Sequence, residues 1–310
     1  MLLPKIKAFL DQVNILSKNR KLAGYKINQT NVREGFAFMA YSYMKESDRS
    51  IIAIDDTVLN DKYPVPIRIY TPPQAKNLPV MVYIHGGGHT CGSVSVYDNV
   101  VRKITRLTQH IIISIDYRLS PEFAYPTALN DCKVVIKNIF SILYEWKISY
   151  RNKDISIMGD SAGGALTTSI IMDQDFTLQN NIKKQVLLYP SVDYTASTES
   201  YNKYGNGYLL EADKMKWYFN NYLQNNENKE SVSALFAEFY PEMPQTMVVV
   251  AEYDPLVDEG VLYYEKLQKS GIKSELVKVS GTIHAFFLIE DLCLEECNQT
   301  YSKISSFLNV

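Results

Sequence analysis

Residues 154–172 force a strand, a very tight turn and a helix into immediate succession. A short β-prone run, 154–157, leads into Met158-Gly159-Asp160-Ser161-Ala162-Gly163-Gly164, and a helix-forming run, 165–172, follows without a break. A serine at the apex of such a turn takes up a strained backbone conformation that pushes its hydroxyl outward. Small neighbours are then required so that nothing collides. The helix begins at the serine, so its free N–H groups point at any negative charge that develops there. The plainer alternative is an ordinary βα turn whose serine caps the helix.

The remainder of the chain gives that turn a frame. Run 80–84 is apolar throughout, as expected of a strand buried on both faces, and 111–115, 185–189, 246–251 and 273–279 read as further core strands. Helical runs alternate with them at 97–109, 127–146, 165–173, 255–270 and 291–308. This alternation predicts an α/β fold, a mostly parallel sheet with helices on both faces. Residues 50–60 and 63–70 add strands that make the sheet mixed, and Pro64 and Pro66 predict an edge position for the second. The segment 281–284 reads as a loop.

Two segments fall outside the alternation. Residues 1–48 read as helical, with 5–16 amphipathic and 36–44 apolar nearly all round, so the latter should be covered or line a pocket. Residues 191–240 hold no core strand but an amphipathic helix over 211–223, with Met215, Trp217, Tyr218, Phe219 and Tyr222. An insertion at strand C-termini reads as a lid. The expected organisation is an N-terminal helical cap segment, 1–48, a catalytic core, 49–190 and 241–310, and an inserted cap segment, 191–240.

Bulk properties exclude several classes of function. The 310 residues, 46% of them hydrophobic, suit one large domain with an insertion. A net charge of −2 leaves no basic footprint for nucleic acid. Lys5, Lys7 and Asp11 break any secretory signal, and no apolar run has the roughly 18 residues of an integral membrane segment. Cys91, Cys132, Cys293 and Cys297 show neither disulfide nor zinc spacing, so they read as reduced packing residues and a cytoplasmic location is expected.

A serine hydroxyl is a poor nucleophile at neutral pH. It needs a base, a group that orients the base, and donors for an oxyanion. Gly-x-Ser-x-Gly between strand and helix is the nucleophile elbow of α/β-hydrolases, in which an acid and then a histidine follow the serine in loops after later strands. Of four histidines, His284 alone lies C-terminal to Ser161, just past run 273–279. Asp254 follows run 246–251; its plainer role is an N-cap ahead of Pro255. Asp258 lies about one helical turn further on and reads as a local cap or pair.

His85-Gly86-Gly87-Gly88 meets the third requirement. Glycines after a buried strand let backbone N–H groups approach a substrate oxygen. Gly86 and Gly87, with Ala162, are the favoured oxyanion donors, and Gly88 stays open. A phosphate loop is disfavoured, because no Lys-Ser/Thr follows and no Gly-x-Gly-x-x-Gly is present. His85 and His89 flank a glycine loop instead of sharing a helix face, which argues against a metal pair. His85 is expected to orient the loop by hydrogen bonds. Asp160 is expected to accept hydrogen bonds from loop groups. Arg118 and Glu122 are expected to form a buried ion-pair network bracing the loops. Nothing marks Cys91 as reactive.

Together these residues resemble the hormone-sensitive-lipase-like family of α/β-hydrolases. The likeness is carried by residues 85–88, by Tyr117-Arg118-Leu119-Ser120-Pro121-Glu122, by 159–164, by Asp254-Pro255-Leu256-Val257-Asp258-Glu259-Gly260, and by His284 with Phe286. Leu187-Leu188-Tyr189-Pro190 and the helix around Trp217 add to it. It covers about residues 60–310. It implies an α/β-hydrolase fold, with an eight-stranded, mostly parallel mixed sheet under a helical cap. The implied activity is that of a carboxylesterase hydrolysing short- to medium-chain acyl esters through a Ser161–His284–Asp254 triad and an acyl-enzyme. No cofactor and no metal are implied; the partner is a small-molecule ester, and a homodimer is left open. The alternatives are an amidase or deacetylase with the same triad and a ligand-binding receptor that has lost catalysis, which the intact triad disfavours. His89 stands where an aromatic residue is usual, Ala234 replaces a common proline and Phe123 a common histidine. These departures concern the substrate mouth, which 36–44 and 217–222 are expected to wall.

Overall fold

The structure is a computed structural model describing residues 1–44, 48–179 and 181–309. Residues 45–47, 180 and 310 of the expected cap and core segments lie outside the described residues. The strands are β1 (Ile52–Asn60), β2 (Tyr63–Thr71), β3 (Leu78–Ile84), β4 (Ile111–Ile115), β5 (Tyr150–Asp160), β6 (Ile182–Leu188), β7 (Gln245–Tyr253) and β8 (Ser274–Ile283). They form one sheet in the order β1-β2-β4-β3-β5-β6-β7-β8. β2 runs antiparallel to both β1 and β4; every other pair is parallel. The helices are α1 (Pro4–Leu22), α2 (Gln29–Tyr43), α3 (Asp98–Thr108), α4 (Thr127–Glu145), α5 (Ala162–Met172), α6 (Gln174–Gln179), α7 (Glu199–Tyr204), α8 (Ala212–Tyr222), α9 (Val257–Lys269) and α10 (Leu294–Asn309). None of them, among the described residues, is long and apolar enough to cross a membrane.

Successive strand side chains divide between two cores. Val80, Val82 and Ile84 of β3 and Ile111, Ile113 and Ile115 of β4 face α4, α5 and α9. Met81, Tyr83 and Ile112 face the other way, onto α1, α3 and α10. Burial on both faces explains why β3 and β4 are apolar runs instead of alternating ones. Each fully buried aliphatic side chain contributes roughly 1.5–3 kcal/mol, so the central strands form a rigid platform. Because β3, β5, β7 and β8 are mutually parallel in direction, their C-terminal ends share one edge. The residues that follow those ends are 85–88, Ser161, Asp254 and His284.

Several local expectations need correction. β2 is not at the edge; β1 is. Its prolines are nevertheless tolerated, because Pro64 and Pro66 pair only with β1, while pairing with β4 starts at Ile67. Proline lacks an N–H but keeps its carbonyl, and Pro66 O accepts from Asp116 N at 2.9 Å. Residues 281–283 belong to β8, and α10 starts at Leu294, after a 3-10 segment, Phe286–Leu292, that is kinked at Ile289. The short helices α6 and α7 were not legible in the sequence pattern. α2 is not fully covered: Val32 and Ala40 are buried, but Phe38 is 74% exposed and Tyr41 56%.

Between β6 and β7 no strand occurs; the chain forms α7, α8 and a 3-10 turn, Ala234–Phe236. α8 lays Met215, Tyr218, Phe219 and Tyr222 against the core. Asp258, expected to pair locally, instead accepts Ser200 N at 2.7 Å, and Ser200 Oγ donates to Pro255 O at 2.8 Å. The loop after β7 is thereby tied to α7.

Candidate active site

The elbow has the conformation its small residues predict. Ser161 sits at φ 51°, ψ −118°, outside the regions a side chain ordinarily favours. A side chain at Gly163 would run into the carbonyl of Ile84, the last residue of the neighbouring strand. Ser161 N donates to Leu188 O at 2.9 Å, which ties the turn to β6. The serine hydroxyl caps no backbone group of α5, so the helix-cap reading fails on geometry.

The hydroxyl is engaged elsewhere. Ser161 Oγ lies 2.9 Å from His284 Nε2, and His284 Nδ1 lies 2.7 Å from Asp254 Oδ2. With Nδ1 protonated, the imidazole donates to Asp254 and accepts the serine proton. Asp254 is fully buried and His284 is 6% exposed. Tyr189 presses edge-on against the imidazole at 5.0 Å. Asp254 is not the N-cap of α9, which starts at Val257 behind Leu256: its Oδ1 accepts Leu256 N at 2.9 Å in the turn ahead of the helix, while Oδ2 faces the histidine.

The glycine loop corrects one assignment. Gly86 N donates to Asp160 Oδ1 at 2.8 Å, so this N–H is not free for an oxyanion. Asp160 accepts from a loop group as expected; what the sequence did not mark is that the donor is Gly86, 74 residues away. Gly87, at φ 114°, adopts a conformation open to glycine, and its carbonyl accepts Thr90 N and Cys91 N at 3.1 and 2.8 Å. Among the described residues, the N–H groups of Gly87, Gly88 and Ala162 have no acceptor within the chain.

This geometry is accompanied by an extended likeness to known proteins. Residues 81–288 match the model of a family described as having the alpha/beta hydrolase fold. The chain belongs to the α/β-hydrolases. This α/β-hydrolase is 32% identical over 230 residues to an arylesterase of Saccharolobus solfataricus, covering 73% of this chain and 74% of that protein. It is 29% identical over 293 residues to an α/β hydrolase of Acanthamoeba polyphaga mimivirus, covering 93% and 82% respectively. The solved structure of an esterase of Pyrobaculum calidifontis superposes with a TM-score of 0.85 at 31% identity, covering 99% and 98% of the two chains. The hormone-sensitive-lipase-like branch is the one these relatives indicate.

Behind the hydrolase's loop lies a buried polar cluster. Asp160 accepts Tyr83 OH at 3.0 Å and Tyr97 OH at 2.9 Å in addition to Gly86 N. Burial pushes its carboxyl up to about 6, against the opposing pull of these three donors. His85 stacks on Tyr117 at 4.4 Å and on Tyr97 at 5.5 Å, with Nδ1 2.8 Å from Gly86 O. It orients the loop by hydrogen bonding, as expected, and by stacking as well. His89 fills the place of the usual aromatic by stacking flat on Tyr222 at 3.7 Å, its Nε2 2.9 Å from Tyr194 OH. Burial drives its imidazole down to about 3, so the ring is neutral. Cys91 is buried and its thiol pushed up, as in a packing residue.

Arg118 and Glu122 form two separate pairs, not one buried network. Arg118 holds Asp131 through Nε at 2.9 Å and Nη2 at 2.6 Å, with the rings of Tyr63 and Phe123 against its guanidinium. Glu122 is bridged twice by Arg33 of α2, at 2.8 and 2.7 Å. Arg33 also donates to Thr90 O at 2.8 Å and Ser120 O at 3.1 Å, which pins α2 to the glycine loop. No sequence signal marked Arg33. Glu259, a buried acid within the 254–260 motif, accepts Val192 N at 2.7 Å and Asp193 N at 3.2 Å and holds the start of the 191–240 segment.

Proposed function

We propose that the protein is a carboxylesterase that hydrolyses short- to medium-chain acyl esters by two-step acyl transfer at Ser161. The observation that carries this reading is the unbroken relay Ser161–His284–Asp254 on a strained elbow at the sheet edge. The esterase and arylesterase named above support the substrate class.

In the first step Ser161 Oγ attacks the ester carbonyl while His284 Nε2 takes its proton. Asp254 holds the imidazole in the required tautomer and stabilises its cation. The carbonyl oxygen becomes anionic and is bound by the N–H groups of Gly87, Gly88 and Ala162, the last at the positive end of α5. His284 then protonates the departing alkoxide, leaving an acyl-enzyme. Water, deprotonated by His284, attacks the acyl carbon; the acyl C–Oγ bond then breaks, His284 returns the proton to Ser161 Oγ, and the free acid departs.

Hydrolysis of a p-nitrophenyl acyl series from acetate to decanoate, with a matched anilide as control, tests the reading. Turnover should be highest between acetate and octanoate and at least tenfold lower for the anilide. No hydrolysis of any ester would favour the receptor alternative, and preference for the anilide the amidase.

Two further outcomes bear on the parts. Gly88→Ala would place a Cβ against the Tyr218 ring at a φ of 61°. Turnover should fall about a hundredfold, as when one oxyanion donor is lost, and Gly87 and Gly88 are not the donors if it stays within twofold. Segments 1–48 and 191–240 are proposed to form the cap, with Trp217, which meets Tyr218 edge-on at 5.4 Å, walling the acyl pocket. Trp217→Ala should move the optimum toward longer chains; an unchanged chain-length profile would reduce Trp217 to packing.

A further inference from the structure

Lys214 and Tyr218 stand one helical turn apart on α8, so their side chains are neighbours. Tyr218 covers the glycine loop: a Cβ on Gly88 would lie 2.6 Å from the ring's Cδ atoms, and the phenol oxygen is 3.9 Å from Cys91 Sγ. The Lys214 ammonium lies over this same ring, 5.6 Å from its centroid. The side chain is partly buried, whereas Asp213, Lys216 and Asn220 of the same helix are exposed.

Among the described residues, Lys214 makes no ion pair. The acidic groups acting on it are the Cys91 thiol and then Glu211, whose Oε1 already accepts Gly207 N at 2.9 Å. Burial lowers its pKa, the direction expected of a desolvated cation without a counter-ion. The cation–π contact with Tyr218 offsets part of that desolvation. A cation held in this state over the ring that covers Gly88 lacks one thing, an anion.

We propose that Lys214 is a specificity residue that binds a carboxylate carried by the ester substrate. The inference rests on the esterase reading and adds a substrate class to it, carboxylate-bearing esters such as hemiesters of short dicarboxylic acids. The acyl-transfer chemistry is unchanged; Lys214 contributes binding alone.

Two substrate pairs test this, one for each side of the scissile bond. The acyl pair is p-nitrophenyl hemiglutarate against p-nitrophenyl pentanoate. The alcohol pair is 4-acetoxybenzoate against 4-acetoxybenzamide. In one pair, Lys214→Met should lower the charged-to-neutral ratio of kcat/KM about ten- to a hundredfold, mainly through KM, as expected for one lost charged hydrogen bond. Lys214→Glu should lower it further and Lys214→Arg restore it. Melting curves establish that the variants are folded. A ratio shifted less than threefold in both pairs, or parallel loss on charged and neutral members, would make Lys214 a packing residue and overturn the inference. If wild type hydrolyses the neutral members while Lys214→Met leaves every ratio unchanged, the esterase reading stands and only this inference falls. If folded wild type hydrolyses no member of either pair, both fall.

Discussion

Ser161→Ala should reduce kcat for p-nitrophenyl butyrate by about three to six decades while leaving the melting temperature within about 2 °C of wild type. Removing the nucleophile abolishes the acyl-enzyme route, and what remains is water attack assisted by the oxyanion donors and by binding. The stability half of the result follows from the elbow. The Ser161 hydroxyl caps no helix group, and its hydrogen bond is to His284. Alanine carries the same Cβ at φ 51°, so backbone strain is unchanged. Ser161→Gly should also be inactive but more stable than wild type, by about 1 kcal/mol, because glycine accepts this conformation without a Cβ penalty. Loss of activity with gain of stability at one position would mark strain retained for function. Asp254→Asn should lower kcat by about four decades through the wrong imidazole tautomer. Ser161→Ala turnover near that of wild type, measured after excluding contaminating esterase with a tagged, repurified sample, would remove Ser161 from the mechanism.

The relay was legible because few residues could form it. One histidine follows Ser161, and chain order and strand placement put Asp254 before it. Local pattern also sufficed for the central strands, since burial on both faces leaves an apolar run whatever the neighbours. Partner choice was not legible. Pro64 and Pro66 give the same sequence signal whether β2 is an edge strand or has one half unpaired on one side, and only the register with β4 separates these. The Gly86 assignment failed for a related reason. A glycine before an oxyanion loop looks free until a carboxylate from β5 reaches it, and Asp160 does so across a separation of 74 residues. Arg33 and Asp258 belong to the same class, making their contacts 57 and 58 residues away. Each is an ordinary surface charge to the sequence and a loop anchor in the fold.

The same carboxylate gives the largest expected effect on stability. Asp160→Ala should lower the free energy of unfolding by about 3 kcal/mol at pH 7. It leaves the Tyr83 and Tyr97 hydroxyls and Gly86 N–H without their acceptor in a fully enclosed site, at about 1–3 kcal/mol each. The loss is offset in part by removal of a charge that burial disfavours. Asp160→Asn isolates that second contribution, because its carbonyl can still accept from Gly86 and tyrosine hydroxyls can rotate. The carboxyl rises from 3.8 unfolded to about 6 folded, so the folded state binds the proton more tightly. Its protonation-linked stabilisation is therefore fully present below about pH 4 and lost as pH rises through about 6. Relative to Asp160→Asn, wild type should gain about 2 kcal/mol between pH 7 and pH 4, most of a shift of about two pKa units at 1.36 kcal/mol each. Urea unfolding of both proteins across that range measures the difference, in which groups unaffected by the substitution cancel. A flat difference would mean that Asp160 titrates at its unfolded value. The loop connects this titration to catalysis: Asp160→Ala frees Gly86 and with it the position of Gly87 and Gly88. Its kcat should fall at least tenfold at pH 8, where Asp160→Asn should retain more of the activity because Gly86 remains held.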